Sequence, residues 1–133
     1  MDQINIMENV TKLVDVIKQQ AELFIVEGGS FYPFGTCIDK LGEIKPIGAY
    51  LEGNDPSPSE LISMLEAHFV KGLNNGLFNI CAIAIDVSIK EKDKSYDALE
   101  IRLFNLEKDD VDKLYYKYKV KGKKVQFTPQ EIS

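Results

Sequence analysis

The sequence predicts an α+β domain: a helix, a β-hairpin, a second helix, then three or four antiparallel strands, with one antiparallel sheet covered by helices. Three observations carry this expectation. Apolar residues recur at three- and four-residue spacing over residues 5–26 and again over 61–73. Over 79–90 and 114–120 the period falls to two. Clusters of Gly, Asn, Asp, Pro and Ser punctuate the stretches between.

The first helix takes its buried face from Ile6, Val10, Leu13, Val14, Ile17, Ala21 and Phe24. Asn5 with Glu8 fits a capping box, and Gly28-Gly29 offers a left-handed exit. Residues 31–39 then read as a strand whose Pro33, lacking an N–H, marks an edge or a bulge. Lys40-Leu41-Gly42-Glu43 reads as the hairpin turn and 44–51 as the returning strand. The turn-rich cluster 53–58 leads into the next helix, capped by Ser57 or Ser59, with Pro58 suited to its first position if Ser57 is the cap. Leu61, Ile62, Leu65, Phe69 and Leu73 form that helix's stripe, and Asn74-Asn75-Gly76 closes it.

Residues 79–90 place Cys81, Ile83, Ile85, Val87 and Ile89 on one face and Ile80, Ala82, Ala84, Asp86 and Ser88 on the other. Both faces start apolar, so a central strand covered on two sides is expected, with the alanines admitting a close helix. Residues 91–95 are a polar turn, and 96–107 a strand with Leu99, Ile101 and Leu103 inward. Asp109-Asp110 marks a turn. Leu114, Tyr116, Tyr118 and Val120 follow, alternating with Lys113, Lys117, Lys119 and Lys121. Lys121-Gly122-Lys123 turns the chain once more before Val125 and Phe127. Short turns join antiparallel neighbours.

A chain of 133 residues suits a single domain over 1–133. At that size about two-thirds of the unfolded surface is buried, so neither metal nor disulfide is needed for stability. The opening Met1-Asp2-Gln3-Ile4-Asn5 lacks a basic, apolar leader, and no apolar run approaches membrane-spanning length. The expected location is cytoplasmic, with no membrane association. A formal net charge of -5 makes nucleic acid an unlikely partner, because phosphate binding needs a basic face. Mild acidity otherwise serves solubility, or a basic partner.

The element order is similar to the Roadblock/LC7 and profilin-like group, where a strand pair precedes a helix and three more strands follow. Residues 123–133 depart from Roadblock, reading as strand and tail rather than a closing helix. A second resemblance is to the NTF2-like cone, with leading helices, a small hairpin and long curved strands. Phe31-Tyr32-Pro33-Phe34-Gly35 followed by Gly42-Glu43 resembles the opening hairpin of small uncharacterised bacterial proteins, which implies no activity.

Catalytic signatures are sparse. The one histidine, His68, has no second histidine or paired cysteine for a zinc site, so no metal or cofactor is expected. A Cys37–His68 thiol–imidazole pair has nothing in the sequence to bring it together. No phosphate-binding loop and no Gly-x-Ser-x-Gly elbow occur. Cys37 and Cys81 read as small buried hydrophobes, with a disulfide or reactive thiol as the rarer alternative.

The candidate binding residues are Phe31, Tyr32, Phe34, Asp86, Tyr116 and Tyr118. An aromatic cluster around proline suits a ligand groove or a protein interface. The plainer reading has Phe31 and Phe34 plugging one end of the core. Asp86, if buried, would carry a raised pKa; the charged Lys90-Glu91-Lys92 beyond it argues that the strand has already reached solvent. Asp97, Glu100 and Arg102 read as a charge ladder on a solvated face. The lysine row with Tyr115 reads as protection of an exposed edge rather than a nucleic-acid stripe.

A non-enzymatic protein-interaction module is the expectation, either a homodimerising adaptor or an immunity-type neutraliser of a basic partner. The alternative is an NTF2-like ligand binder or enzyme, with Tyr32, Asp86, Tyr116 and Tyr118 lining a pocket between sheet and long helix.

Overall fold

The computed structural model describes residues 3–47, 57–105 and 111–130. Its elements run α1 (Gln3–Gly28), β1 (Phe34–Asp39), β2 (Ile44–Ile47), α2 (Pro58–Asn74), β3 (Phe78–Glu91), β4 (Lys94–Phe104), β5 (Asp112–Lys121) and β6 (Lys124–Gln130). The hairpin and the four later strands join in one six-stranded sheet of order β2-β1-β3-β4-β5-β6. Every neighbouring pair is antiparallel. The expected class therefore holds, and the hairpin belongs to the same sheet.

The alternation in β3 sorts its side chains between two helices. Ile80, Ala82 and Ala84 pack with Leu13, Val14, Ile17, Ala21 and Ile25 of α1. Cys81, Ile83 and Ile85 pack with Leu65, Phe69 and Leu73 of α2. The sheet is thus a middle layer, with α1 on what we call the inner face and α2 on the outer face. One turn of α1 reaches strands four places apart in that order: Phe24 meets the ring of Phe34 on β1, next to edge strand β2, and Glu22 accepts the backbone N–H of Val125 on edge strand β6 at 3.0 Å. Only a sheet curled around the helix permits this.

Several expectations need correction. Helix α1 begins at Gln3, so Asn5 lies inside it rather than at its cap. Ile25, not Phe24, occupies the last buried position of its stripe, and Phe24 remains half exposed. Strand β1 starts at Phe34 and lies between β2 and β3, so Pro33 precedes an interior strand instead of marking an edge. The expected ends of the second and fourth strands, the Asp109-Asp110 turn and the start of the 53–58 cluster lie outside the described residues.

Other signals hold. Gly29 takes φ 82° and donates to Ile25 O at 2.7 Å, ending α1 where the glycine pair was expected. Ser57 caps α2 in a reciprocal box with Glu60, with Pro58 in the first turn. Close packing of α2 on β1 depends on Gly35, where a Cβ would run into the ring of Phe69.

Candidate interaction site at the aromatic end of the sheet

Four of the six candidate residues converge where α1 ends. The chain leaves the helix at Gly29 and returns toward β1 through Phe31, Tyr32 and Pro33, with the Phe31 amide bonded to Asp86 on the inner face. Phe31 and Phe34 meet edge to face at 5.6 Å between ring centroids, and Phe24 meets Phe34 at 5.5 Å. Phe31 and Phe34 are partly buried against the α1 core. Phe24 keeps 46% of its surface exposed and Tyr32 keeps 71%. A fixed aromatic base therefore carries two solvent-facing rings.

Asp86 anchors this segment. Its Oδ2 accepts the backbone N–H of Phe31 at 3.3 Å, and its Oδ1 accepts the hydroxyl of Tyr118 at 2.7 Å. Sequence reasoning expected this strand to have reached solvent by residue 86. Instead the carboxylate is partly buried, because the returning aromatic segment folds over it. Burial raises its pKa from the ordinary carboxylate value, opposed by the bonds from Tyr118 and Phe31 and reinforced by nearby Asp97. Burial together with the Asp86 carboxylate pushes the Tyr118 phenol up as well. Tyr118 is itself buried and meets Phe127 edge to face at 6.2 Å.

The remaining two candidates are Tyr116, away from this anchor, and Tyr32, the exposed ring on the segment it holds. Tyr116 lies opposite Leu99 in the β4–β5 register, beneath the ammonium of Lys18 at 4.1 Å from its ring centroid. Burial raises its phenol, helped by Asp15. Tyr32 extends outward.

The outer face holds a polar network that the sequence did not disclose. Glu100 is buried at 6% exposure, its Oε1 accepting from Tyr115 at 2.6 Å and its Oε2 from Arg102 Nε at 2.7 Å. Arg102 also reaches Glu66 of α2 at 3.2 Å. Expecting Glu100 and Arg102 on a solvated ladder with Asp97 was wrong in two ways. Asp97 pairs with Ser88 on the inner face, and the other two are clamped beside α2. Lys117 pairs with Glu91 at 2.8 Å and lies over Tyr96.

Nor does the lysine row guard an edge. β5 is flanked by β4 and β6, so Lys113, Lys117 and Lys119 stand on an interior strand. On edge strand β6 it is Glu22 that occupies the N–H of Val125.

Asp39, which the sequence reading passed over, holds the first hairpin. Its Oδ1 accepts from the backbone N–H groups of Leu41 and Glu43 at 2.9 Å each, and Oδ2 pairs with Lys45 at 3.1 Å. The Glu43 bond leads in holding this carboxyl below its usual range. The available signal was an Asp immediately before a Gly-containing turn.

His68 is exposed, with its ring against Phe69 and Phe78, while Cys37 is fully buried against Cys81, so the two do not form a pair. Among the described residues no three His, Cys, Asp or Glu side chains gather as a metal site. Among the same residues no helix is long and apolar enough to cross a membrane. Comparison with family models, curated proteins and solved structures finds no match.

Proposed function

We propose that the chain is a non-enzymatic protein-interaction module that binds its partner through the aromatic segment at the end of α1. One observation carries this reading: Tyr32 and Phe24 face solvent on a base of Phe31 and Phe34 that Asp86 and Tyr118 hold in place. Exposed aromatic rings on a rigid support bury large area at little entropic cost, which is how interface anchors work. The partner is a second copy, as in an adaptor, or another protein that the module neutralises.

The alternative, an NTF2-like ligand pocket between sheet and long helix, draws support from the raised pKa of Asp86. Against it stand the Leu13, Ile17, Ala21 and Ile25 side chains packed into that space and the Tyr118 hydroxyl already bonded to Asp86.

Sedimentation of the labelled chain in lysate of its own cells tests the interaction reading. A species larger than the 15.0 kDa chain is expected, returning to monomer with Phe24→Asp or Tyr32→Asp. A monomer throughout, or a complex indifferent to both substitutions, contradicts it.

A further inference from the structure

We propose that Cys37 and Cys81 form a reversible disulfide that clips β1 to β3 beneath α2. The two residues are directly opposed in the β1–β3 register. Opposed residues of an antiparallel pair have Cα atoms about 4.5–5.5 Å apart, inside the span of roughly 4.4–6.8 Å that disulfides require. Both side chains belong to the α2-facing cluster, so they point the same way off the sheet. Their sulfurs lie 3.0 Å apart as free thiols. Closing to a bond of about 2.05 Å needs a movement of about 1 Å, within reach of side-chain torsions alone.

The chemistry balances with a disulfide oxidant such as oxidised glutathione. One cysteine thiolate attacks it, releasing one glutathione thiolate and leaving a mixed disulfide. The second cysteine thiolate then displaces the other glutathione. Two protons leave the protein, the cysteine pair loses two electrons, and one glutathione disulfide becomes two thiols.

Access sets when this happens. Both cysteines are fully buried under Leu65, Phe69 and Leu73. The bond to Cys37 and burial push the Cys81 thiol up, so thiolate is scarce while α2 is seated. The bond therefore forms as the chain folds or when α2 lifts, and the closed fold then protects it. Because the sulfurs already face each other, oxidation keeps the fold and adds a crosslink spanning a sequence separation of 44.

Refolding the full chain in glutathione buffers of graded oxidising strength tests this. The expected product is a single chain, free of links between molecules and lighter by two hydrogens, with one peptide pair joining Cys37 to Cys81. Its melting temperature should stand about 10 °C above the reduced form and fall back with reductant. Cys37→Ala should show no such shift. The comparison of oxidised with reduced wild-type chain needs no variant, so it decides the matter even if Cys37→Ala folds poorly. A chain that stays dithiol, collects glutathione adducts, links between molecules or melts lower when oxidised overturns the proposal.

Discussion

Asp86 accepts the Tyr118 hydroxyl with one carboxylate oxygen and the Phe31 amide with the other, so a single side chain joins β3, β5 and the aromatic segment. Removing the hydroxyl with Tyr118→Phe should cost about 1.5–3 kcal/mol, the usual range for a bond to a charged acceptor. Denaturant unfolding measures it, and the same variant should raise the Asp86 pKa further by carbon-detected NMR titration. An unchanged midpoint and pKa would show that the bond does not anchor the segment.

Asp86 and Asp39 should bend the acid limb of stability in opposite directions. The folded pKa of Asp86 is raised, so its contribution is complete below the unfolded value of about 3.9 and declines as pH rises through the folded pKa. For Asp39 the folded pKa is lowered, so its contribution is present above that unfolded value and lost as pH falls through the folded pKa. Unfolding midpoints from pH 3 to 7 should therefore show the penalty of Asp86→Asn shrinking with pH and that of Asp39→Asn growing. Parallel trends would contradict the assignment.

Contact between α2 and β1 should prove intolerant of added volume. In Gly35→Ala the new methyl meets the Phe69 ring, which is fully buried and cannot swing away. A loss of about 1–3 kcal/mol is expected for this overpacking. Phe69→Ala should cost about 3–5 kcal/mol by leaving a cavity. In the double variant the methyl has space, so thermal unfolding should show less than the summed loss; strict additivity would place the two residues out of contact.

A gain in stability is available at the β3–β4 turn. Lys92 holds φ 55° between the paired residues Glu91 and Lys94, and Gly122 holds φ 64° at the matching place between Lys121 and Lys124. A left-handed non-glycine residue costs about 1–2 kcal/mol, so Lys92→Gly should raise stability by about 1 kcal/mol after its own entropic cost. A lower melting temperature for this variant would contradict the turn geometry.

Local rules made much of the fold legible. The Ser57 cap, the Gly29 exit and the two-faced alternation of β3 each depend on neighbours a few residues away, and each was readable. What escaped was set by distant parts of the chain. Asp86 looked solvated because the charges at 90–92 follow it in sequence, whereas its burial comes from Phe31, on a segment 55 positions earlier. Glu100 looked like one rung of a surface ladder because nothing local announces that Glu66 and Tyr115 converge beside it. The lysines of β5 look like edge residues in the sequence because strand order, unlike strand identity, is not written in the period of the pattern.

The role of the aromatic segment can be tested by placing a photo-crosslinking phenylalanine analogue at position 32 and, separately, at position 41. Leu41 is as exposed as Tyr32, at 76% against 71%, but sits on the distant β1–β2 turn. Irradiation in the native cells should give one discrete adduct from position 32, with a second copy or one other protein, and none from position 41. Equal, diffuse labelling from both positions, or no adduct from 32, would contradict an interface at the aromatic end of the sheet.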